Sequence, residues 1–187
     1  MAETQDKRRV VTGKVRFSYA YVFIPRKSDT EGAPPKYSVA LLIPKSDTDT
    51  YSRIMAGIDA AKQYGKEKTQ KWSGKVPANL RLPLHDGDGL KEESQEPYGP
   101  EAKGCWILNA SSADKPEVVD ANLNPIISQA DFYSGCYGRA AVQFFPYANR
   151  KIGIGCALGN LQKLEDGEPL AATAVKASKD FGDGFLD

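Results

Sequence analysis

The chain has 187 residues, with 25 Lys and Arg against 24 Asp and Glu and a net charge of +1. That length suits one domain, or one domain with a large insertion. No apolar run approaches the ~20 residues that cross a bilayer, and MAETQDKRR lacks the apolar stretch of a signal peptide, so the expectation is a soluble intracellular protein with no membrane partner.

Residues 1–11 are polar and read as a loose end. From Thr12 to Ile24, TGKVRFSYAYVFI alternates, which predicts a strand with Val15, Phe17, Tyr19, Tyr21 and Phe23 on one face and Lys14, Arg16 and Ser18 on the other. RKSDTEGAPP, 26–35, reads as a loop. KYSVALLI follows as a second strand, with Tyr37, Val39, Leu41 and Ile43 on one face and Pro44 as its stop. The period then changes. Tyr51, Ile54, Met55, Ile58 and Ala61 form one helical stripe, and Ser46 with Asp49 fits a capping box, so a helix is predicted to start near Asp47. Residues 72–104 read as an irregular excursion with a short strand around Leu80–Leu84. CWILN, Cys105–Asn109, begins a third strand. A loop with a short strand and a turn or short helix comes next. A hairpin closes the body, with strands Cys136–Tyr147 and Lys151–Leu164 about the turn Ala148-Asn149-Arg150. From Glu165 on there is too little apolar content to pack, except at the extreme end.

The predicted fold is therefore mainly β with one main helix. Five strands suit a small OB-type barrel with the helix between its second and third strands and with long insertions. The organisation reads as a flexible N-terminus, 1–11, a barrel domain, 12–168, and a flexible acidic and aromatic tail, 169–187.

Charge is unevenly distributed. Residues 1–164 carry 23 Lys and Arg against 18 Asp and Glu, and residues 165–187 carry 2 against 6. A basic body with an acidic tail suits a polyanion ligand and a tail that competes for the same surface. The three cysteines, Cys105, Cys136 and Cys156, are far apart and form no CxxC pair, and His85 is the single histidine, so no zinc site and no cofactor is expected.

The hairpin carries the binding candidate. In CYGRAAVQFFPY, Cys136, Gly138, Ala140, Val142 and Phe144 suit the barrel interior, which turns Tyr137, Arg139, Phe145 and Tyr147 outward. Exposing three aromatics together is costly unless they bind something. On the return strand, Lys151, Gly153 and Gly155 face out, and a three-residue turn pairs Tyr147 with Lys151, Phe145 with Gly153 and Gln143 with Gly155. Small residues there leave room over the rings for a stacked base, with phosphates held by Arg139, Arg150 or Lys151. The same pattern also fits rings that cover the glycines structurally or pack under the insertion. Trp106 is a further stacking candidate, and Arg16 and Lys36 extend the basic track.

Weaker signals point elsewhere. HDGDG offers His85, Asp86 and Asp88 as a divalent-ion site, which would make the chain a metal-dependent nuclease. DANLNP, 120–125, begins like a calcium loop but has Pro125 where glycine is needed. A protein–protein adaptor on a barrel scaffold is a third reading.

TGKVRFSYAYVF, KYSVALLIPKSD, DANLNPII, YSGCYGRAAVQFFPY, GIGCALGNLQKLEDGEPL and the final DFGDGF together resemble a phage-encoded single-stranded-DNA-binding protein family, over roughly Thr12 to Phe185. The resemblance implies an OB-fold protein, not an enzyme, that coats single-stranded DNA during phage replication and recombination in the cytoplasm of the infected host. It also implies a tail that contacts phage or host replication proteins. In that tail, Asp180 and Asp183 resemble phosphates, and Phe181 and Phe185 resemble bases. Leu186 and Asp187 follow Phe185, so a pocket that clamps a terminal phenylalanine carboxylate would not fit unchanged. Duplex DNA is expected to bind more weakly, since stacking is lost, and self-association into a homo-oligomer stays open.

Overall fold

A computed structural model describes residues 6–170. Its elements are β1 (Arg9–Val11), β2 (Val15–Arg26), β3 (Lys36–Pro44), α1 (Thr48–Lys68), β4 (Leu84–Asp86), β5 (Cys105–Ser112), β6 (Val118–Val119), β7 (Tyr137–Ala148) and β8 (Ile152–Glu165). β2 pairs antiparallel with β3, and β3 with β5. β5 meets β8 in parallel at Ser111 and Ala157, β8 pairs along the whole of β7, and β7 returns to β2 at Arg16 and Val15. That ring of strands is a barrel of the OB type, and α1 falls between its second and third members. β1 lengthens the edge of β7, β6 that of β8, and β4 adds to β5.

Alternation decides what fills the barrel. Val15 and Phe17, then Leu41 and Ile43, Leu108, Phe144, Ile154 and Leu161 converge in one buried cluster. α1 lays Ile54, Ile58 and Ala61 against it, the stripe read from the sequence. Gly57 sits under the Phe144 ring, where a side chain would collide.

Several expectations are corrected. The N-cap is Asp47, whose carboxylate accepts from the Thr50 N–H and hydroxyl at 3.0 and 2.6 Å, so Ser46 is not the cap. Arg9–Val11 is not loose, because it pairs with Ala141–Gln143 of β7. The short strand lies at Leu84–Asp86 rather than Leu80–Leu84. In the hairpin, Ala148 pairs with Ile152, Tyr147 with Gly153 and Phe145 with Gly155, two residues along from the predicted pairing. A shift of two keeps every face, and it seats a glycine opposite each exposed ring.

The segment after β8 is also held. Glu165 pairs with Lys14 at 2.8 Å, Arg16 donates to the Glu168 carbonyl at 2.7 Å, and the Leu170 N–H donates to the Ser134 carbonyl at 2.9 Å. Asp180, Phe181, Asp183 and Phe185 lie outside the described residues.

Gly138 marks the tightest point of the closing pair. A Cβ there would overlap the Gln162 carbonyl and come 2.9 Å from the Phe17 ring. Gly138→Ala should therefore cost about 1–3 kcal/mol, as overpacking does, read as a lowered urea midpoint with an unchanged slope.

Candidate nucleic-acid interface

The register of β2 against β3 holds the first feature of interest. Ser18 pairs with Ala40 and Tyr21 with Ser38, so three steps on β2 answer two on β3. The additional residue is a β-bulge. Tyr19 sits in it at φ +48°, a left-handed conformation rare for a bulky side chain. The Ala20 N–H beside it donates to the Ser134 hydroxyl oxygen at 3.0 Å, and the Gly135 N–H to the Phe17 carbonyl at 2.8 Å. The bulge reverses the alternation. Tyr19 is 62% exposed and Tyr21 38%, while Val22 is fully buried. The sequence reading that placed Tyr19 and Tyr21 on the face of Val15 and Phe17 is thus corrected.

Both tyrosines border a groove of about 460 Å³ on the outer face of β2, β3 and β5. Ala40, Leu42, Ala102 and Ile107 make an apolar floor, with Tyr98 packed beside it. Ser38, Asn109 and Ser111 add hydroxyl and amide groups, and Arg26 and Lys91 add positive charge. The Arg26 guanidinium lies 5.8 Å from the Tyr21 ring centre, and the Lys91 ammonium 6.0 Å from that of Tyr98. Lys36, singled out in the sequence, stands directly opposite Arg26 across the strand pair. Like charges so placed repel; the Asp29 carboxylate, 3.4 Å from the Arg26 guanidinium, is the anion that meets Arg26 in the free chain. Tyr19, Tyr21, Tyr98, Arg26 and Lys91 escaped the sequence reading. One signal was available: strict alternation would bury two tyrosine hydroxyls in the core, where each needs a partner.

The β7 face presents Tyr137, Arg139 and Phe145 outward as read, but does not gather them. Tyr137 and Phe145 are roughly 27 Å apart at a strand rise of about 3.4 Å per residue. Tyr137 lies beneath the Arg16 guanidinium, 5.4 Å from its ring centre, while Arg16 also donates to the Gly135 carbonyl at 3.1 Å. Arg139 donates twice to the Gln162 side-chain oxygen, at 3.0 and 2.7 Å. Phe145 and Tyr147 do meet, with ring centres 6.5 Å apart. Their rings lie over Gly155 and Gly153, so they fill the space that the glycines leave and turn only their outer faces to solvent. Arg150 and Lys151 are exposed in the adjoining turn, and the Lys151 ammonium is 3.9 Å from Glu93.

Trp106 is placed apart from both surfaces. It stacks on Tyr51 at 5.0 Å and packs with the main core, under the Lys45 ammonium at 4.9 Å. The same ammonium bridges Asp86 and Asp88 at 2.6 and 2.7 Å. Asp88 also accepts the Gly104 N–H at 3.0 Å. Among the described residues no three His, Cys, Asp or Glu side chains gather to hold a metal ion. Asp120 of DANLNP spends its carboxylate on the N–H groups of Asn122 and Asn124, at 2.8 and 2.9 Å, which makes a turn.

Lys45 holds both Asp86 and Asp88 below the ordinary carboxylate pKa of 3.8. A depressed carboxyl contributes stability above 3.8 that is lost as pH falls through its folded value. The melting temperature should thus decline below about pH 4, and Asp86→Asn with Asp88→Asn should flatten that part of the decline, as followed by circular dichroism.

Comparison with known proteins gives a consistent set. The chain is 31% identical over 179 residues to protein p50 of Acyrthosiphon pisum secondary endosymbiont phage 1, covering 94% of this chain and 93% of that one. Its fold matches the single-stranded DNA-binding protein from bacteriophage Enc34 in complex with ssDNA, at a TM-score of 0.68 and 24% identity over 91% of this chain and 96% of that chain. It also matches gp2.5, a single-stranded DNA binding protein encoded by bacteriophage T7, at a TM-score of 0.62 and 15% identity over 93% and 98% of the two chains. The profile of the Enterobacter phage Enc34 ssDNA-binding protein family covers residues 8–187, and the chain belongs to that family.

Proposed function

We propose that this chain coats single-stranded DNA without sequence preference during phage replication and recombination, in the cytoplasm of the infected host. The observation that carries the reading is the outer groove, where exposed tyrosines and the cations Arg26 and Lys91, with one carboxylate at Glu101, border an apolar floor. Bases stack on aromatic rings whatever their identity, and phosphates are met by Arg26, Lys36 and Lys91. Phe145 and Tyr147, with Arg150 and Lys151, offer a second contact along the same strand. Tyr137, Arg139 and Arg16 would meet phosphate only by giving up part of their present bonding, and Trp106 only by leaving Tyr51. Duplex DNA should bind more weakly, through phosphates alone.

A single-strand-binding family is not an enzymatic one, and Asp86 and Asp88 are already bridged by Lys45, so the nuclease reading has no support. The adaptor reading would return if no oligonucleotide bound even at low salt.

Tyr21→Ala should weaken oligo-dT binding by about 1–3 kcal/mol at fixed salt, and Arg26→Ala should reduce the salt slope by about 0.7. Phe145→Ala and Tyr147→Ala test the second contact by the same titration. If neither Tyr21→Ala nor Arg26→Ala changes binding, the groove is not the site.

The acidic tail is proposed to compete with DNA and to recruit phage or host replication proteins once DNA displaces it. Support comes from the charge split and from Leu170, which packs beside the groove floor. Deleting residues 179–187 should raise DNA affinity, most at low salt where charges act furthest. Unchanged affinity after deletion would remove autoinhibition and leave recruitment standing.

A further inference from the structure

We infer that Tyr19 is a residue that selects single-stranded over duplex DNA, beside Tyr21, and that Ser134 is the positioning residue that holds it. The inference rests on the groove reading above and adds the source of its selectivity.

Three observations converge on Tyr19. It is among the most exposed large side chains of the barrel, at 62%. Its backbone is left-handed at φ +48°, which costs free energy at any residue with a Cβ and is lowest at glycine. With Ala20 it is one of the two residues of β2 that stand against Val39 alone, between the Ser18–Ala40 and Tyr21–Ser38 pairs. A strained, solvent-facing aromatic in a strand has no core contact to justify it. Such strain persists where surrounding bonds over-determine the conformation, and it concentrates where a side chain must be aimed.

The bonds that over-determine it are visible. Within the bulge, the Ala20 N–H lacks a β3 partner in register and donates to the Ser134 hydroxyl oxygen at 3.0 Å. The Ser134 carbonyl accepts from Leu170 on the groove side, and Gly135 donates to Phe17 just before the bulge. The turn at 134–135 therefore grips β2 on both sides of Tyr19. What it holds out is a phenol ring at the rim of the groove, next to Tyr21 and Arg26. A ring in that position offers a face to a base only when the base is unstacked and unpaired. Phosphate contacts at Arg26 and Lys36 are available to either form of DNA. Selectivity then resides in the ring and not in the cations.

Glycine suits the left-handed backbone, so Tyr19→Gly removes the ring while keeping the bulge and cannot fail by misfolding for that reason. The full chain is titrated against labelled oligo-dT and a blunt duplex of equal length at one salt concentration, beside its thermal melt. Tyr19→Gly should melt at or above the parent temperature, lose roughly 5- to 150-fold in oligo-dT affinity, and stay within twofold on duplex. Ser134→Ala should lower oligo-dT affinity in the parent and leave it unchanged in the Tyr19→Gly background. That coupling would be missing if Ser134 served the fold alone. Equal losses on both DNA forms, or no loss on oligo-dT, would overturn the role of Tyr19. If Tyr21→Ala and Arg26→Ala still weaken binding, that failure belongs to the inference alone. If they too have no effect, the groove reading falls and takes the inference with it.

Discussion

The antiparallel pairing of β7 with β8 is the constraint on which the other surfaces depend. It joins the two ends of the strand ring, from Tyr137 opposite Glu165 to Ala148 opposite Ile152. Without it β2, β3 and β5 would be an open sheet with no fixed curvature, and their outer face would not be a groove. The closure needs near contact of two backbones, and the side chains show how it is obtained. Gly138 admits the Gln162 carbonyl, while Gly153 and Gly155 admit the rings of Tyr147 and Phe145 from the partner strand. A large aromatic over a glycine restores the buried area that the glycine gives up. The exposed aromatics of the hairpin thus have a structural duty even where one face remains available.

Much of this fold is legible in the sequence because the signals are local and periodic. β7 alternates without interruption, and its faces agree residue by residue with burial from Cys136 to Phe144. β3 sends Val39, Leu41 and Ile43 into the main core as read, while Ala40 and Leu42 are buried on the opposite face in a second cluster. The α1 stripe is equally plain. What escapes is whatever depends on a partner distant in sequence. β1 is three residues whose only reason to be extended is the free edge of β7. Leu170 packs because a second small cluster, Ala40, Leu42, Ala102 and Ile107, happens to be within its reach.

The proposed binding surface is the least legible part, for a physical reason. Period-two reading assumes that each residue flips the face, and a bulge breaks that rule at one residue. SYAY looks like core and is half surface. Conversely, Tyr137, Arg139 and Phe145 share a face as predicted, yet a strand face is a line and not a cluster. Residues on one such line are separated by its rise, whereas a groove gathers residues from neighbouring strands. Charge misleads in the same way: Arg16 reads as part of a basic track, but its donors are directed at the Gly135 and Glu168 carbonyls.

Ser134 joins two parts of the molecule that the chain keeps far apart. Its hydroxyl oxygen receives the Ala20 N–H at the bulge, and its carbonyl receives the Leu170 N–H from the stretch after β8. The two bonds share one peptide unit and its side chain. The bulge that aims Tyr19 and the stretch that follows β8 are therefore anchored on the same residue, each by one hydrogen bond.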